Sequence, residues 1–246
     1  KEVESLSATE TLSHCARMPG PNGHRRALLA VTRSDAVESV LETHNEAGLQ
    51  VADVVPAGVA LLNTYSRFLN GRPGAAMLVD LARDTTDVAV VSGSSLLFSR
   101  SLSFGADALL GVDTPGTSLD AWSKEIQSFL ALYRSRFQGP EHEVSSAIVS
   151  GGGAAVQGLT SNLASVLGLE VRLMEDLPIR QGERDVAFFA SAVGLALAGL
   201  GEGPVESSLL PAPLKEKQML RGQIRYWVLS AVAAVLAMTF LIMRSH

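Results

Sequence analysis

Apolar positions recur along the chain with two different periods, and the switches between them outline a mixed order of strands and helices. Leu28 to Val31 is a short apolar run that predicts a buried strand. Ser34 or Asp35 can cap a helix running to Ala47, with Val37, Val40 and Leu41 at helical spacing and Gly48 as its stop. Leu49 to Val55 alternates as a strand does, and Pro56 introduces a helix through Leu61, Leu62, Tyr65 and Leu69. Ala76 to Leu81, Asp87 to Ser92 and Ser95 to Leu102 then predict three strands in an antiparallel meander, with Ser92-Gly93-Ser94 as one tight turn. After Pro115, a helix carries Leu119, Trp122, Ile126, Phe129, Leu130, Tyr133 and Phe137 on one side, a stripe that reads as core packing. Val144 to Val149 predicts a strand, Leu159, Leu163 and Val166 a helix face, Glu170 to Leu173 a strand, and Asp185 to Leu200 an alanine-rich helix. Strands mixed with helices in this order make an α/β domain.

The tail has a different pattern. Gly199 to Pro213 reads as a linker, and the 18 residues from Tyr226 to Met243 carry no charge. As a helix they would reach roughly 27 Å, close to the thickness of a bilayer's hydrocarbon core. Lys215, Lys217, Arg221 and Arg225 precede them, and Tyr226 and Trp227 stand where aromatic rings favour the headgroup layer. The expectation is one C-terminal transmembrane helix, with the preceding domain on the cytoplasmic side.

Charge and cysteine content narrow the function. A net charge of -5 and a pI near 5.6 argue against a nucleic-acid partner, which would require a basic stripe. A single cysteine, Cys15, excludes an internal disulfide framework and suits a reducing compartment. His14, His24, His44 and His142 lack the spacing of a metal site, and no Gly-x-Ser-x-Gly elbow accompanies the many serines.

Two segments carry candidate chemistry. The first is the strand Leu78-Val79-Asp80-Leu81 with its turn Ala82-Arg83-Asp84-Thr85-Thr86-Asp87. It can offer a carboxylate, Asp80, toward a hydrated Mg²⁺ and turn amides toward phosphate oxygens. The second is Ser150-Gly151-Gly152-Gly153 between a strand and a helix, where glycines let the backbone approach a ligand and a helix end attracts anions. No Gly-Lys-Ser/Thr follows, so this is not a Walker A loop.

In their order and separation these segments resemble the actin-like ATPase superfamily, and within it the PilM family of type IV pilus assembly proteins. Asp80, Ala82, Thr85 and Thr86 look like its second phosphate hairpin, Gly151, Gly152 and Gly153 like its adenosine loop, and Ala187 to Ala198 like its closing helix. Ala30 to Pro56 looks like its small inserted subdomain. Ser208-Leu209-Leu210-Pro211 is similar to the docking segment of the PilN family, with serine in place of asparagine. The resemblance implies a partial actin-like (ribonuclease H-like) α/β fold. Residues 1–75 would hold the subdomain and the rest of a first lobe, and 76–200 the second lobe. Residues 201–225 would be a basic linker and 226–243 the anchor.

The resemblance further implies a scaffold that binds other inner-membrane assembly proteins, and itself, with ATP and Mg²⁺ as ligands. Alternatives are the L-type inner-membrane component of type II secretion and an active ATPase or kinase of the same superfold. Ala82 stands where the family has glycine, and its methyl group crowds a phosphate. The resemblance puts the first phosphate loop before Lys1. One lobe alone cannot align water, metal and γ-phosphate, so negligible hydrolysis is expected.

Overall fold

A computed structural model describes residues 11–19, 25–69, 74–110, 115–174 and 186–245. His24 and Asp185, the expected start of the alanine-rich helix, lie outside them. The chain divides into two units, 1–209 and 210–246.

The first unit opens with a ribbon of two antiparallel strands, β1 (Thr11–Pro19) and β2 (Arg25–Arg33), followed by α1 (Ser34–Glu46) and α2 (Ala57–Phe68). β1 was not expected from the sequence. Of its side chains only Ala16 and Met18 are deeply buried, so its outward half reads as polar chain. The strand expected over 49–55 does not form: these residues hold no regular element, and Val54 uses its carbonyl to accept from the Leu209 amide at 2.7 Å.

A five-stranded sheet follows, built from β3 (Ala75–Leu81), β4 (Thr86–Ser92), β5 (Ser95–Leu102), β6 (Val144–Ser150) and β7 (Glu170–Leu173), in the order β5-β4-β3-β6-β7. The meander pairs β3, β4 and β5 antiparallel, while β6 and β7 run parallel to β3. Strand alternation sorts side chains to two faces. On one face, Met77, Val79 and Leu81 meet α4 (Pro115–Arg136) and α5 (Leu159–Leu167). The expected stripe of α4 lies here, with Trp122, Ile126, Phe129, Leu130 and Tyr133 buried. On the other face, Ala76 and Leu78 pack beneath α2. A bulge at Leu97, where Val90 pairs with Phe98 and Val91 with Leu96, sends Leu96 and Phe98 to opposite faces although they are two residues apart.

The short α3 (Ala106–Leu109) follows the meander, and α6 (Ala190–Gly199) closes the unit. α6 crosses α2 at Gly194, where an added Cβ would land on the Ala60 carbonyl, so backbone meets backbone. Asn63 donates to the Gly194 carbonyl at 3.1 Å and Thr64 to that of Ala190 at 2.7 Å. Past α6, Val205 is buried in the second core.

The second unit contains α7 (Ala212–Ser245), a single helix of 34 residues. Here the sequence reading requires correction. Lys215, Glu216 and Lys217 fall within this helix rather than in a linker, so a charged first stretch and the apolar run share one element. Among the described residues no helix is long and apolar enough to cross a membrane, and the transmembrane helix expected over 226–243 is withdrawn. The side chains of Arg221, Arg225 and Tyr226 lie outside the described part.

Candidate functional site

Pairing in parallel register brings the C-terminal ends of β3 and β6 side by side, with Asp80 opposite Ser150. Ligands of open α/β sheets gather at such strand ends. Asp80 is 6% exposed and both carboxylate oxygens are engaged. Ser150 donates to Oδ1 at 2.7 Å, and Ser191, in the first turn of α6, donates to Oδ2 at 2.5 Å. One side chain therefore joins β3, β6 and the closing helix. Hydroxyl donors satisfy a buried carboxylate that would otherwise be costly to desolvate.

Asp87 sits across from Asp80 on β4. Burial pushes its carboxyl above the ordinary carboxylate range, the Ser101 hydroxyl donating to it works the other way, and the Asp80 charge adds to the upward push.

The turn between β3 and β4 is closed by the Ala82 amide donating to the Thr85 carbonyl at 2.9 Å. The Ala82 and Arg83 carbonyls accept from the amides of Ala106 and Asp107, each at 2.9 Å, so this turn caps α3. Thr85 is exposed, but Thr86 is fully buried. The Thr86 hydroxyl donates to the Phe104 carbonyl at 2.5 Å and accepts from Trp122 Nε1 at 2.9 Å. That hydroxyl is part of the core, and of the two threonines only Thr85 faces outward.

β6 runs straight into the triple glycine. Gly151 has φ +89°, and an added Cβ would fall 2.5 Å from the Leu81 carbonyl oxygen and 2.8 Å from Asp80 Oδ1. Only glycine serves there, because both the backbone conformation and the space exclude a side chain. Gly153 is buried against the Leu81 side chain, whereas Gly152 is exposed, and a Cβ added to it would stand 3.7 Å from the Phe188 ring. The two segments singled out from the sequence thus meet: the glycine turn rests on the end of β3.

Asp87, Ser150 and Ser191 complete this arrangement; the first two stood in the segments singled out from the sequence without a role of their own, and Ser191 was missed. Ser150 carried a signal, standing directly before the glycines. Ser191 lies 111 residues from Asp80 and carried none.

Backbone at Gly152 is open to a nucleoside or phosphate. The carboxylates do not suit a directly held magnesium ion, because Asp80 is enclosed and no group of three or more His, Cys, Asp or Glu side chains converges among the described residues.

The tetrapeptide 208–211 spans the boundary between the units. Within the first unit, Ser208 donates to Asp53 Oδ1 at 2.5 Å and Leu209, 8% exposed, donates its amide to Val54. Within the second, the Pro211 carbonyl accepts from the amides of Leu214 and Lys215 as α7 begins.

No family model matches the chain, and no curated protein does either. Among solved structures, a PilM–PilN type IV pilus biogenesis complex superposes with a TM-score of 0.62 at 22% identity, covering 81% of this chain and 70% of that one. The fold is actin-like. Weaker likenesses are MreB5 of Spiroplasma citri bound to ADP (TM-score 0.47, 13% identity, 69% of this chain and 66% of that one) and the ethanolamine utilization protein EutJ from Carboxydothermus hydrogenoformans (0.46, 16%, 68% and 62%). In this actin-like unit the ends of β3 and β6 carry the candidate site, and α2 and α6 back it.

Proposed function

We propose that this chain is an actin-like scaffold of a bacterial type IV pilus, or related, assembly platform. It holds partner proteins and takes ATP as a conformational ligand. The observation that carries the proposal is the match in fold to a PilM–PilN complex across 81% of the chain. The Ser208–Leu209 segment lying on Asp53 and Val54 supports it as well.

In this reading the nucleotide rests on the backbone of Gly151, Gly152 and Gly153, with Ala82 and Thr85 at the rim. Asp80 and Thr86 keep that backbone in place from below. A group that acts by holding backbone supports binding rather than turnover, since phosphoryl transfer depends on aligned water and metal. Ser208, Leu209, Leu210 and Pro211 form the docking segment, used within the chain. We place the α/β unit in the cytoplasm, in line with its exposed, free Cys15.

Calorimetry of the full chain with ATP is the direct test, together with capture assays using purified cytoplasmic domains of pilus platform proteins. The expected result is binding of ATP without phosphate release, and capture that falls when Ser208 and Leu209 are replaced by glycine. Sustained phosphate release, lost in Asp80→Ala, would replace the scaffold by an active ATPase. Capture of type II secretion components in preference to pilus components would move the same scaffold to the L-type role.

A further inference from the structure

The first unit has a groove of about 580 Å³ between the ribbon and the meander, reached at one end by Asp87. Residues 28–32 of β2 form one wall, and Leu96 together with residues 98–101 of β5 forms another. Stretches of consecutive residues line both walls, so each strand presents its edge, and not only one of its faces. Among the described residues β2 pairs only with β1, and β5 only with β4, which leaves both edges unpaired. The start of α2 forms the floor, and Leu209 also lines the groove.

Two guanidinium groups belong to the same groove. Arg100 projects from β5, and Arg136 reaches over the Phe98 ring at 5.7 Å from the end of α4. Neither forms an ion pair among the described residues. The carboxylate facing this groove is Asp87, which already accepts from the Ser101 hydroxyl.

We infer that this groove receives an extended, acidic segment of a partner protein, about five residues long, as an added strand. It would pair with the open edge of β5, set apolar side chains against Leu28 and Leu96, and direct a carboxylate toward Arg100 and Arg136. Strand addition of this kind draws its affinity from main-chain hydrogen bonds and its selectivity from alternate side chains. About five residues match the length of an ordinary strand. An arginine on an exposed edge can also serve only to repel other edges, and the test separates the two roles.

The probe is the peptide fluoresceinyl-Val-Glu-Val-Thr-Val-amide, labelled at its N-terminus, titrated into the full chain and followed by anisotropy and by amide hydrogen exchange. Saturable binding is expected, with slowed exchange in residues 98–101. N-methylation of alternate peptide amides is expected to weaken binding at least tenfold, and Arg100→Glu or Arg136→Glu about tenfold each. A lysine in place of the peptide glutamate should recover affinity for the Arg100→Glu protein. Three results would overturn the inference. One is absence of binding up to millimolar peptide, which leaves Arg100 an edge guard. Another is affinity indifferent to N-methylation and charge reversal. The last is exchange protection of residues 98–101 that rises with protein concentration alone, which gives the groove to a second copy of the chain.

Discussion

The two faces of the central sheet are built from the same strands and do different things. The face under α4 is apolar and aromatic. Phe98 stacks on Phe129 with ring centroids 5.2 Å apart, Tyr133 on Phe137 at 4.9 Å, and the buried hydroxyl of Thr86 is consumed by Trp122 and Phe104. The face under α2 and α6 is apolar in its middle, but at the strand ends it changes to carboxylates and hydroxyls, with Asp80 accepting from Ser150 and Ser191 and Asp87 from Ser101. Period-two alternation separates these tasks along single strands: Val79 and Leu81 stabilise, while Asp80 between them organises the site. Substitutions on the first face should therefore move stability alone, and those on the second should move the glycine turn as well.

Trp122→Ala should show the largest effect. It removes a fully buried indole and leaves the Thr86 hydroxyl without its donor, so a loss of about 4 kcal/mol in urea unfolding is expected, with Gly152 exchange unchanged relative to global stability. Gly194→Ala tests the second face from above. Its methyl group must push α6 off α2, at a cost of about 2–3 kcal/mol, and should also displace Ser191 from Asp80. Nuclear magnetic resonance shifts at Gly151 would report that displacement, and an unchanged Gly151 would contradict the linkage.

Asp80→Asn is milder. It keeps the shape but turns one acceptor into a donor facing a hydroxyl, which should cost about 1–2 kcal/mol and loosen the triple glycine. Smallest is Asp87→Asn, whose sign depends on pH. With its folded pKa raised, the Asp87 carboxylate destabilises the fold when ionised. That penalty is absent below the ordinary value of 3.8, grows as pH rises toward the folded pKa, and is full above it. The asparagine variant should thus match the parent in acid and exceed it slightly at neutral pH. A variant less stable than the parent at pH 7 would show that the ionised form is favoured after all.

The sequence disclosed whatever depended on local period. The meander, the stripe from Trp122 to Tyr133 and the meeting of strand and glycines at Ser150 each follow from spacing within a dozen residues. What it concealed depended on partners far away. Thr86 looked like a phosphate ligand because a hydroxyl in an acidic turn has that chemistry, and nothing local reveals that Trp122 claims it. Leu49 to Val55 alternates as a strand, yet it finds no ladder and lends a carbonyl to Leu209 instead. β1 was hidden for the opposite reason, since a ribbon buried on half of one face needs few apolar residues. The tail misled through its apolar run, because the charged turns before it were read as a flanking linker and not as the first part of the same helix.

The crossing of α2 and α6 has a mechanical consequence. With no side chain between them at Gly194, and with Asn63 and Thr64 fastened to carbonyls of the other helix, neither rod can slide along its neighbour without breaking both fastenings at once. The two must tilt together, as a single lever. Ser191 sits on that lever one residue from a fastening, so any force at Asp80 is delivered to α2 with little slack.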